Sequence, residues 1–317
     1  MPDRPDIVLI HTDQHRADCL SVAGHPELIT PNLDGLALRG TRFTNAYTPA
    51  PLCSPARHAL LTGCSPATNG VLSNLPARIA RPGQTLPALL RRAGYETLHV
   101  GRSMHQHPGS ARCGFDHRFG QPHTDAYSIY HEKMPRLSTA GEFTNFPHLL
   151  NHGLPLDGYT ARDWPYDEFL HETNHSVNRA IGAIDRRDRD CPLFLSVGIL
   201  APHPPLAPPR FYYDRYAGMG LTPPVVGDWV DGDPYARAGT GVYSGEIPLG
   251  TEAIRAAMAG YYGLINHLDD QLHNLFKRLS YEPGETLIVF VSDHGDMLGD
   301  HGCFGSGCPS RARCGSR

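Results

Sequence analysis

The sequence is short of lysine, which occurs only at Lys133 and Lys277 in a chain of 317 residues. Arginine therefore carries almost all of the positive charge, and the formal net charge is -4. No lysine- or arginine-rich cluster offers a continuous surface to the phosphates of a nucleic acid. The composition argues against a nucleic-acid-binding protein.

Long apolar runs are also missing. The N-terminal segment MPDRPDIVLIHTD contains only a short apolar stretch, IVLI, which is too brief for the core of a signal peptide. No other run approaches the length of a membrane span, so no membrane partner is expected. A cytoplasmic location is the resulting expectation.

Cysteine is sparse outside the C-terminal end of the chain, and no two cysteines are spaced as C-x-x-C. A disulfide framework or a structural zinc site is therefore not expected. The eight cysteines lie at positions 19, 53, 64, 113, 191, 303, 308 and 314.

Short apolar runs alternate with helical patterns along the chain, which predicts an α/β fold with a mostly parallel central sheet flanked by helices. The predicted strands are 6–14, 95–101, 192–200 and 285–293. The predicted helices are one bracketed by Thr30 and Gly40, one over 85–94, and a long amphipathic helix from Ile254 to Leu279. Two stretches rich in Pro, Gly, His and Tyr, 106–165 and 201–250, are predicted as loops that line a site.

Two of the predicted strands end in polar residues. Asp13 and Gln14 follow IVLIHT, and Asp293 and His294 follow LIVFVS. In parallel sheets, ligands gather at the carboxyl ends of the strands, so these four side chains would form one divalent cation site if the strands are neighbours. The alternative is that acids at strand ends only stabilise the turns that follow.

Other acids receive structural interpretations. Asp18, Asp296 and Asp300 are assigned to turns and solvent. Asp269 and Asp270 lie on the long helix and are interpreted as structural.

The segment CSPARHALLTG, residues 53–63, gives one cysteine an unusual setting. Alone, Cys53 would be interpreted as a small buried hydrophobic residue. With Pro55 and Arg57, however, it resembles the signature of the type I sulfatases, in the alkaline phosphatase superfamily. Further motifs follow in that family's order over residues 5–302: TPNLDGLALRGTRFTNAYTPAPLCSPAR, GYETLHVGRSMH, APHPP, YYGLINHLDDQL and SDHGDMLGDHG.

The resemblance implies a sulfatase with an alkaline phosphatase-like fold that hydrolyses a small-molecule sulfate ester. A formylglycine-generating enzyme would convert Cys53 to formylglycine. The hydrate of that aldehyde carries two hydroxyls, one to attack the ester and one whose deprotonation releases sulfate. The metal ligands would be Asp13, Gln14, Asp293 and His294.

The same resemblance gives roles to four more side chains. Arg57 would hold the hydrate, and His105 would be the base that releases sulfate. His203 would contact the sulfate or protonate the leaving oxygen. Arg102 replaces the family's usual lysine, so it carries over anion binding but not proton transfer.

The metal and the substrate are each left with alternatives. Gln14 and His294 resemble the branch of choline sulfatases and phosphonate monoester hydrolases, and an imidazole ligand makes manganese an alternative to calcium. A phosphodiesterase or phosphonate monoester hydrolase using the same site is the alternative activity. An inactive relative is the alternative of a different class.

The C-terminal end departs from the family pattern. Ser306 stands about where relatives have another active-site lysine, and 303–317 lack apolar periodicity. The expectation is a catalytic domain over 1–302 followed by an unstructured tail over 303–317, in a chain that lacks the smaller C-terminal domain of the family.

Overall fold

A five-stranded parallel sheet forms the centre of the computed structural model, which describes residues 4–75, 77–79, 81–108, 111–119, 159–227 and 251–306. The strand order is β3-β2-β4-β1-β5. The strands are β1 (Asp6–Asp13), β2 (Glu96–Gly101), β3 (His117–Phe119), β4 (Leu193–Pro202) and β5 (Thr286–Ser292). The predicted mostly parallel α/β sheet is therefore confirmed.

Helices connect and cover these strands. They are α1 (Pro31–Leu38), α2 (Cys53–Thr62), α3 (Pro66–Asn69), α4 (Leu86–Arg92), α5 (Glu172–Arg186), α6 (Arg210–Ala217) and α7 (Thr251–Leu279). Within the described ranges, none of them combines the length and the apolar character that a bilayer crossing requires.

Two local sequence signals and one distant contact explain where the predicted helices begin. Pro31 occupies the first turn of α1, where its missing N–H costs no hydrogen bond. The carboxylate of Asp269 accepts hydrogen bonds from the N–H groups of Asn32 and Leu33, so it caps α1 from the long helix. Thr85 caps α4 by accepting from the Ala88 N–H. The structural interpretation of Asp269 therefore agrees with the observed contacts.

The core lies between the sheet and its covering helices. Every residue of β4 is buried, as expected for a strand with a neighbour on each side. The predicted apolar stripe of α7 faces this core, and Gly260 lets the helix approach Leu206, since an added Cβ would lie 2.9 Å from the Leu206 Cβ. The helix thereby fixes the segment that follows β4.

Some elements were not predicted. Helix α5 was missed because its buried face is built mainly of small and polar residues, although Val177, Ala180 and Ile184 follow helical spacing. The two stretches predicted as loops contain β3 and α6, so that prediction was wrong for these segments. Residues 120–158 and 228–250 of the same stretches lie outside the described residues.

Packing continues past the predicted end of the catalytic domain at residue 302. Phe304 is buried against Tyr159, with ring centroids 4.6 Å apart, and Ser306 is also buried. The remainder of the predicted tail, 307–317, lies outside the described residues, and the predicted domain division stays a prediction.

Candidate active site

The ends of β1 and β5 bring together the two acidic strand tips. The strands pair in parallel up to Thr12 and Ser292. Just beyond this pair, the Gln14 N–H donates to Asp293 Oδ1 at 3.0 Å. Residues about 280 positions apart in sequence are therefore neighbours at the carboxyl edge of the sheet.

Four side chains at this edge form a buried group that we call the donor cluster: Asp13, Cys53, Asp293 and His294. One potential ligand atom from each lies within 4.8 Å of the others. Cys53 Sγ is 3.1 Å from His294 Nε2 and 3.5 Å from Asp13 Oδ1. Two carboxylates, an imidazole and a thiol thus converge on one point.

Helix α2 supplies Cys53 and explains the CSPARHALLTG segment. Proline at the third helical position is compatible with the first turn, and Gly63 ends the helix with a left-handed φ of 65°. The Ser54 N–H, which has no acceptor within the helix, donates to Asn74 Oδ1 at 3.0 Å. Cys53 therefore lies at a helix N-terminus, where the helix dipole favours negative charge.

Arg57 lies one helical turn after Cys53, on the same face of α2. Its side chain is fully buried and forms ion pairs with Asp13 at 3.0 Å and with Asp293 at 2.8 Å. It also donates to the Ser103 carbonyl oxygen at 2.7 Å. The guanidinium group therefore ties α2 to both acidic strand tips.

The two oxygens of each acid have different partners. Oδ2 of Asp13 and Oδ2 of Asp293 both contact Arg57, which leaves each Oδ1 in the donor cluster. Burial alone raises the pKa of Asp13, but Arg57, His203 and Arg102 outweigh it and hold that pKa well below its usual value. Asp13 is therefore ionised at neutral pH.

Gln14 has its backbone in the left-handed region, with a φ of 69°, and its side chain is buried. Its amide nitrogen donates to the Tyr159 hydroxyl at 2.9 Å and to the Asp296 carboxylate. These contacts use the nitrogen and leave the amide oxygen as the atom suited to a cation. Tyr159 and Asp296 are functional candidates that the sequence analysis missed.

The assignment of Asp296 and Asp300 to solvent was wrong. Asp296 is fully buried, and Asp300 is nearly so. Asp300 pairs with Arg16 at 2.8 Å, and Arg16 also pairs with Asp18 at 2.8 Å. Each carboxylate has a polar partner from the loop after β1, and this pairing compensates for the loss of water.

Arg102 follows β2 and reaches the same site. Its Nε lies 3.2 Å from Asp13 Oδ2, and 19% of its side chain is exposed. Its position depends on the close approach of β2 to β4: a Cβ at Gly101, where φ is 79°, would lie 2.0 Å from the Gly198 carbonyl oxygen. Glycine is required there, and Arg102 is the more accessible of the two cations beside Asp13.

His105 is partly buried, and its φ of 55° is in the left-handed region. Burial, followed by the charges of Arg102 and Arg57, holds the pKa of His105 well below its usual value. Its Nε2 has no hydrogen-bond partner within the described part of the chain. The His58 ring is hydrogen-bonded to the backbone of His105, a supporting contact that the sequence analysis missed. A neutral imidazole with a free nitrogen can accept a proton.

His203 follows β4 and lies near enough to Asp13 for the two groups to shift each other's pKa. Its Nδ1 lies 2.6 Å from the Pro204 carbonyl oxygen, which fixes the proton on Nδ1. Burial lowers the pKa of His203, and Arg102 adds to this effect, whereas Asp13 opposes it. Nε2 is then the atom left to face a ligand.

Glu172, the first residue of α5, is a further acid near the site that the sequence analysis missed. It lines a small cavity together with Trp164, His171 and His203. Burial raises the pKa of Glu172 to about 7, although Arg102 lowers it in part. No local sequence signal identifies it, because part of the cavity wall comes from β4 and the nearby charge of Arg102 follows β2.

The protonation state of Cys53 limits its reactivity. Burial raises the pKa of the Cys53 thiol, and the charges of Asp13 and Asp293 raise it further. Cys53 is therefore a neutral thiol at pH 7 and a poor nucleophile. Reaction at this position requires either a bound cation or a chemical change of the side chain.

The donor set suits a divalent cation. Two carboxylates, an imidazole and an amide oxygen are common ligands of such ions. The carboxylates of Asp13 and Asp293 are balanced by Arg57 and Arg102, so a divalent cation would give the site a net positive charge. Such a site would attract an anionic substrate.

Comparisons with known proteins point in one direction. The sulfatase family model matches residues 5–313. The chain is 36% identical over 321 residues to an arylsulfatase of Clostridium perfringens, covering 96% of this chain and 66% of that protein. It is 30% identical over 307 residues to a choline-sulfatase of Rhizobium meliloti, covering 94% of this chain and 59% of that protein. The chain thus spans less than two thirds of the length of these relatives.

A solved structure has a similar fold. The phosphonate monoester hydrolase of Agrobacterium radiobacter superposes with a TM-score of 0.79 at 27% identity, covering 98% of this chain and 67% of that one.

Proposed function

The chain belongs to the sulfatase family, and we propose that it hydrolyses sulfate esters to an alcohol and sulfate. The observation that carries this proposal is the convergence of Cys53 and Arg57, at the start of one helix, on Asp13 and Asp293 from two neighbouring strands. The site places Cys53 beside two arginines, Arg57 and Arg102, and positive charge of this kind favours the binding of an anionic ester.

A divalent cation completes the proposed site. Asp13, Asp293 and His294 would hold it through atoms of the donor cluster, with the amide oxygen of Gln14 beside them. Calcium is the proposed ion, with manganese as the alternative because of the imidazole. When bound, the cation would polarise the ester oxygens and favour ionisation of a nearby hydroxyl.

The nucleophile is proposed to come from Cys53 by conversion to formylglycine, carried out by a formylglycine-generating enzyme. The modified residue would supply a hydroxyl that attacks sulfur and a second hydroxyl whose deprotonation releases sulfate. A neutral buried thiol does not attack a sulfate ester well, which supports the need for this change.

The remaining side chains bind the anion and move protons. Arg57 keeps both carboxylates in place, and Arg102, whose side chain is partly exposed, binds the sulfate oxygens. His203, once protonated on Nε2, would donate a hydrogen bond and then that proton to the leaving oxygen. His105, held neutral, accepts the proton when sulfate is released.

Hydrolysis of a phosphonate monoester is the second candidate. The likeness to the phosphonate monoester hydrolase of Agrobacterium radiobacter favours it, and a phosphonate monoester carries a single negative charge like a sulfate monoester. The charge balance of the site therefore does not separate the two substrates, and their relative rates must be measured.

Mass spectrometry combined with two assays tests the proposal. The tryptic peptide 43–57 contains Cys53 and should be lighter by about 18 Da after conversion of CH2SH to CHO. The converted protein should hydrolyse an aryl sulfate faster than an aryl phosphonate monoester, and Cys53→Ala should abolish both activities. Cys113→Ala, at a buried cysteine outside the donor cluster, is the matched control. Converted protein without sulfatase activity would refute the proposal, and faster phosphonate hydrolysis would favour the second candidate.

A further inference from the structure

We propose that, while Cys53 is unmodified, the donor cluster is a tetrahedral site for Zn2+ or Co2+. In this site the Cys53 sulfur is itself a ligand. This inference rests on the cation site of the proposed function. It does not rest on the conversion of Cys53 or on hydrolysis.

The spacing of the ligand atoms supports tetrahedral coordination. Zinc binds sulfur at about 2.3 Å and nitrogen or oxygen at about 2.0 to 2.2 Å, so neighbouring ligand atoms should lie about 3.4 to 3.6 Å apart. His294 Nε2 lies 3.1 Å from Cys53 Sγ, 3.7 Å from Asp13 Oδ1 and 3.8 Å from Asp293 Oδ1. The fourth measured separation, from Cys53 Sγ to Asp13 Oδ1, is 3.5 Å. These four separations differ from the ideal by at most about half an ångström, and the other two are within 4.8 Å.

The supporting contacts already orient the ligands. His294 Nδ1 lies 2.9 Å from the Gly295 carbonyl oxygen, so Nδ1 carries the proton and Nε2 presents its lone pair to the cluster. Arg57 binds the Oδ2 atoms of Asp13 and Asp293, and the Oδ1 atoms lie 3.7 and 3.8 Å from His294 Nε2. Asp293 Oδ1 also accepts hydrogen bonds from the Gln14 and His294 N–H groups at 3.0 and 2.8 Å, so one of these bonds must lengthen when an ion binds.

Ligand chemistry then determines which ion is preferred. Sulfur and imidazole nitrogen favour zinc and cobalt, whereas calcium takes six to eight oxygen ligands. On binding, the S–H bond of Cys53 breaks, a sulfur–metal bond forms and the proton is released to solvent. Conversion of Cys53 removes the sulfur, so the modified chain should lose its preference for zinc. The same residues would thus hold different ions before and after modification.

Cobalt titration of the full-length chain tests this inference. Protein whose Cys53 is shown by mass spectrometry to be unmodified is titrated with Co2+ and then with Zn2+. We expect one equivalent of Co2+ to give a near-ultraviolet thiolate-to-cobalt absorption band and tetrahedral visible bands, and Zn2+ to remove them. Cys53→Ser should lose the thiolate band and weaken Zn2+ binding by tenfold or more, on the order of one lost ligand interaction. Cys113→Ser should retain both.

The outcomes separate this inference from the proposed function. If the unmodified chain binds Mn2+ or Ca2+ but its Co2+ titration gives no thiolate band, this inference alone is overturned. A thiolate band that persists in Cys53→Ser would overturn it as well. Failure of the folded chain to bind any of the four ions would also remove the cation site of the proposed function. Circular dichroism shows whether Cys53→Ser is folded, and Cys53→Ala repeats the test if it is not.

Discussion

Replacing Glu172 by glutamine should stabilise the protein above neutral pH and leave its stability near pH 5 almost unchanged. Burial raises the pKa of Glu172 from 4.5 to about 7, so the folded state prefers the protonated carboxyl. Between these two pH values the folded chain binds more protons than the unfolded chain at this residue, and stability falls as pH rises. Glutamine has nearly the same shape but does not ionise.

The size of the effect follows from the pKa difference. A shift from 4.5 to about 7 corresponds to about 3 kcal/mol of stability that is present at low pH and lost by pH 8. An ionised glutamate at the first position of α5 also gains about 0.5 kcal/mol from the helix dipole, which glutamine forgoes. The net gain of Glu172→Gln at pH 8 should therefore be about 2 to 3 kcal/mol.

Thermal unfolding in metal-free buffer at pH 5 and at pH 8 measures this gain. For a chain of this length, 2 to 3 kcal/mol corresponds to a rise in Tm of about 4 °C at pH 8, with a change of about 1 °C or less at pH 5. Glu168→Gln, at a more exposed acid on the neighbouring turn, is the control and should show no such gain at pH 8. Equal melting temperatures for wild type and Glu172→Gln at pH 8 would show that Glu172 is ionised in the folded site at little cost.

Three further substitutions test the supporting contacts. Asp296→Asn removes the ionic acceptor of the Gln14 amide, so calorimetric Mn2+ affinity should fall by about 10- to 100-fold, and an unchanged affinity would rule out this positioning role. Arg57→Met removes a cation shared by two buried carboxylates and leaves Asp293 without an arginine partner, so urea unfolding should report a loss of about 3 to 5 kcal/mol. A loss below about 1 kcal/mol would contradict the observed ion pairs. Gly101→Ala should lower the free energy of unfolding by at least about 2 kcal/mol in the same assay, and it should raise the KM for an aryl sulfate by displacing Arg102. Wild-type values for both would count against the close approach of β2 to β4.

The strands and the acidic tips could be predicted because their signals are local. An apolar run that ends in polar residues indicates a strand with a polar carboxyl end, and this held for β1 and β5, although β5 is an edge strand and only partly buried. The long helix α7 was equally clear from its apolar spacing. Such patterns lie within one segment and need no knowledge of the rest of the fold.

The remaining features depend on contacts between distant segments. Asp296 was interpreted as a solvent-exposed turn residue because nothing near it in sequence indicates that Gln14 and Tyr159 will bury it. Glu172 lies at an ordinary helix start, and only the assembled sheet brings Arg102 near it. Helix α2 was recognised by its motif and not as a helix, although Pro55 in the first turn and Gly63 at the end are typical of one.

The order of the strands explains why so few segments suffice to build this site. Because β2, β4, β1 and β5 are adjacent and parallel, the residues that follow each strand emerge along one edge of the sheet. Those positions carry Arg102, His203, Asp13 and Asp293, and α2 adds Arg57 between them. The charges of Asp13 and Asp293 are thus balanced by Arg57 and Arg102 before any ion binds. The favourable charge for an anionic ester then depends on the cation, so removing Asp13 or Asp293 should impair ion binding and substrate binding together, whereas removing Arg102 should impair substrate binding alone.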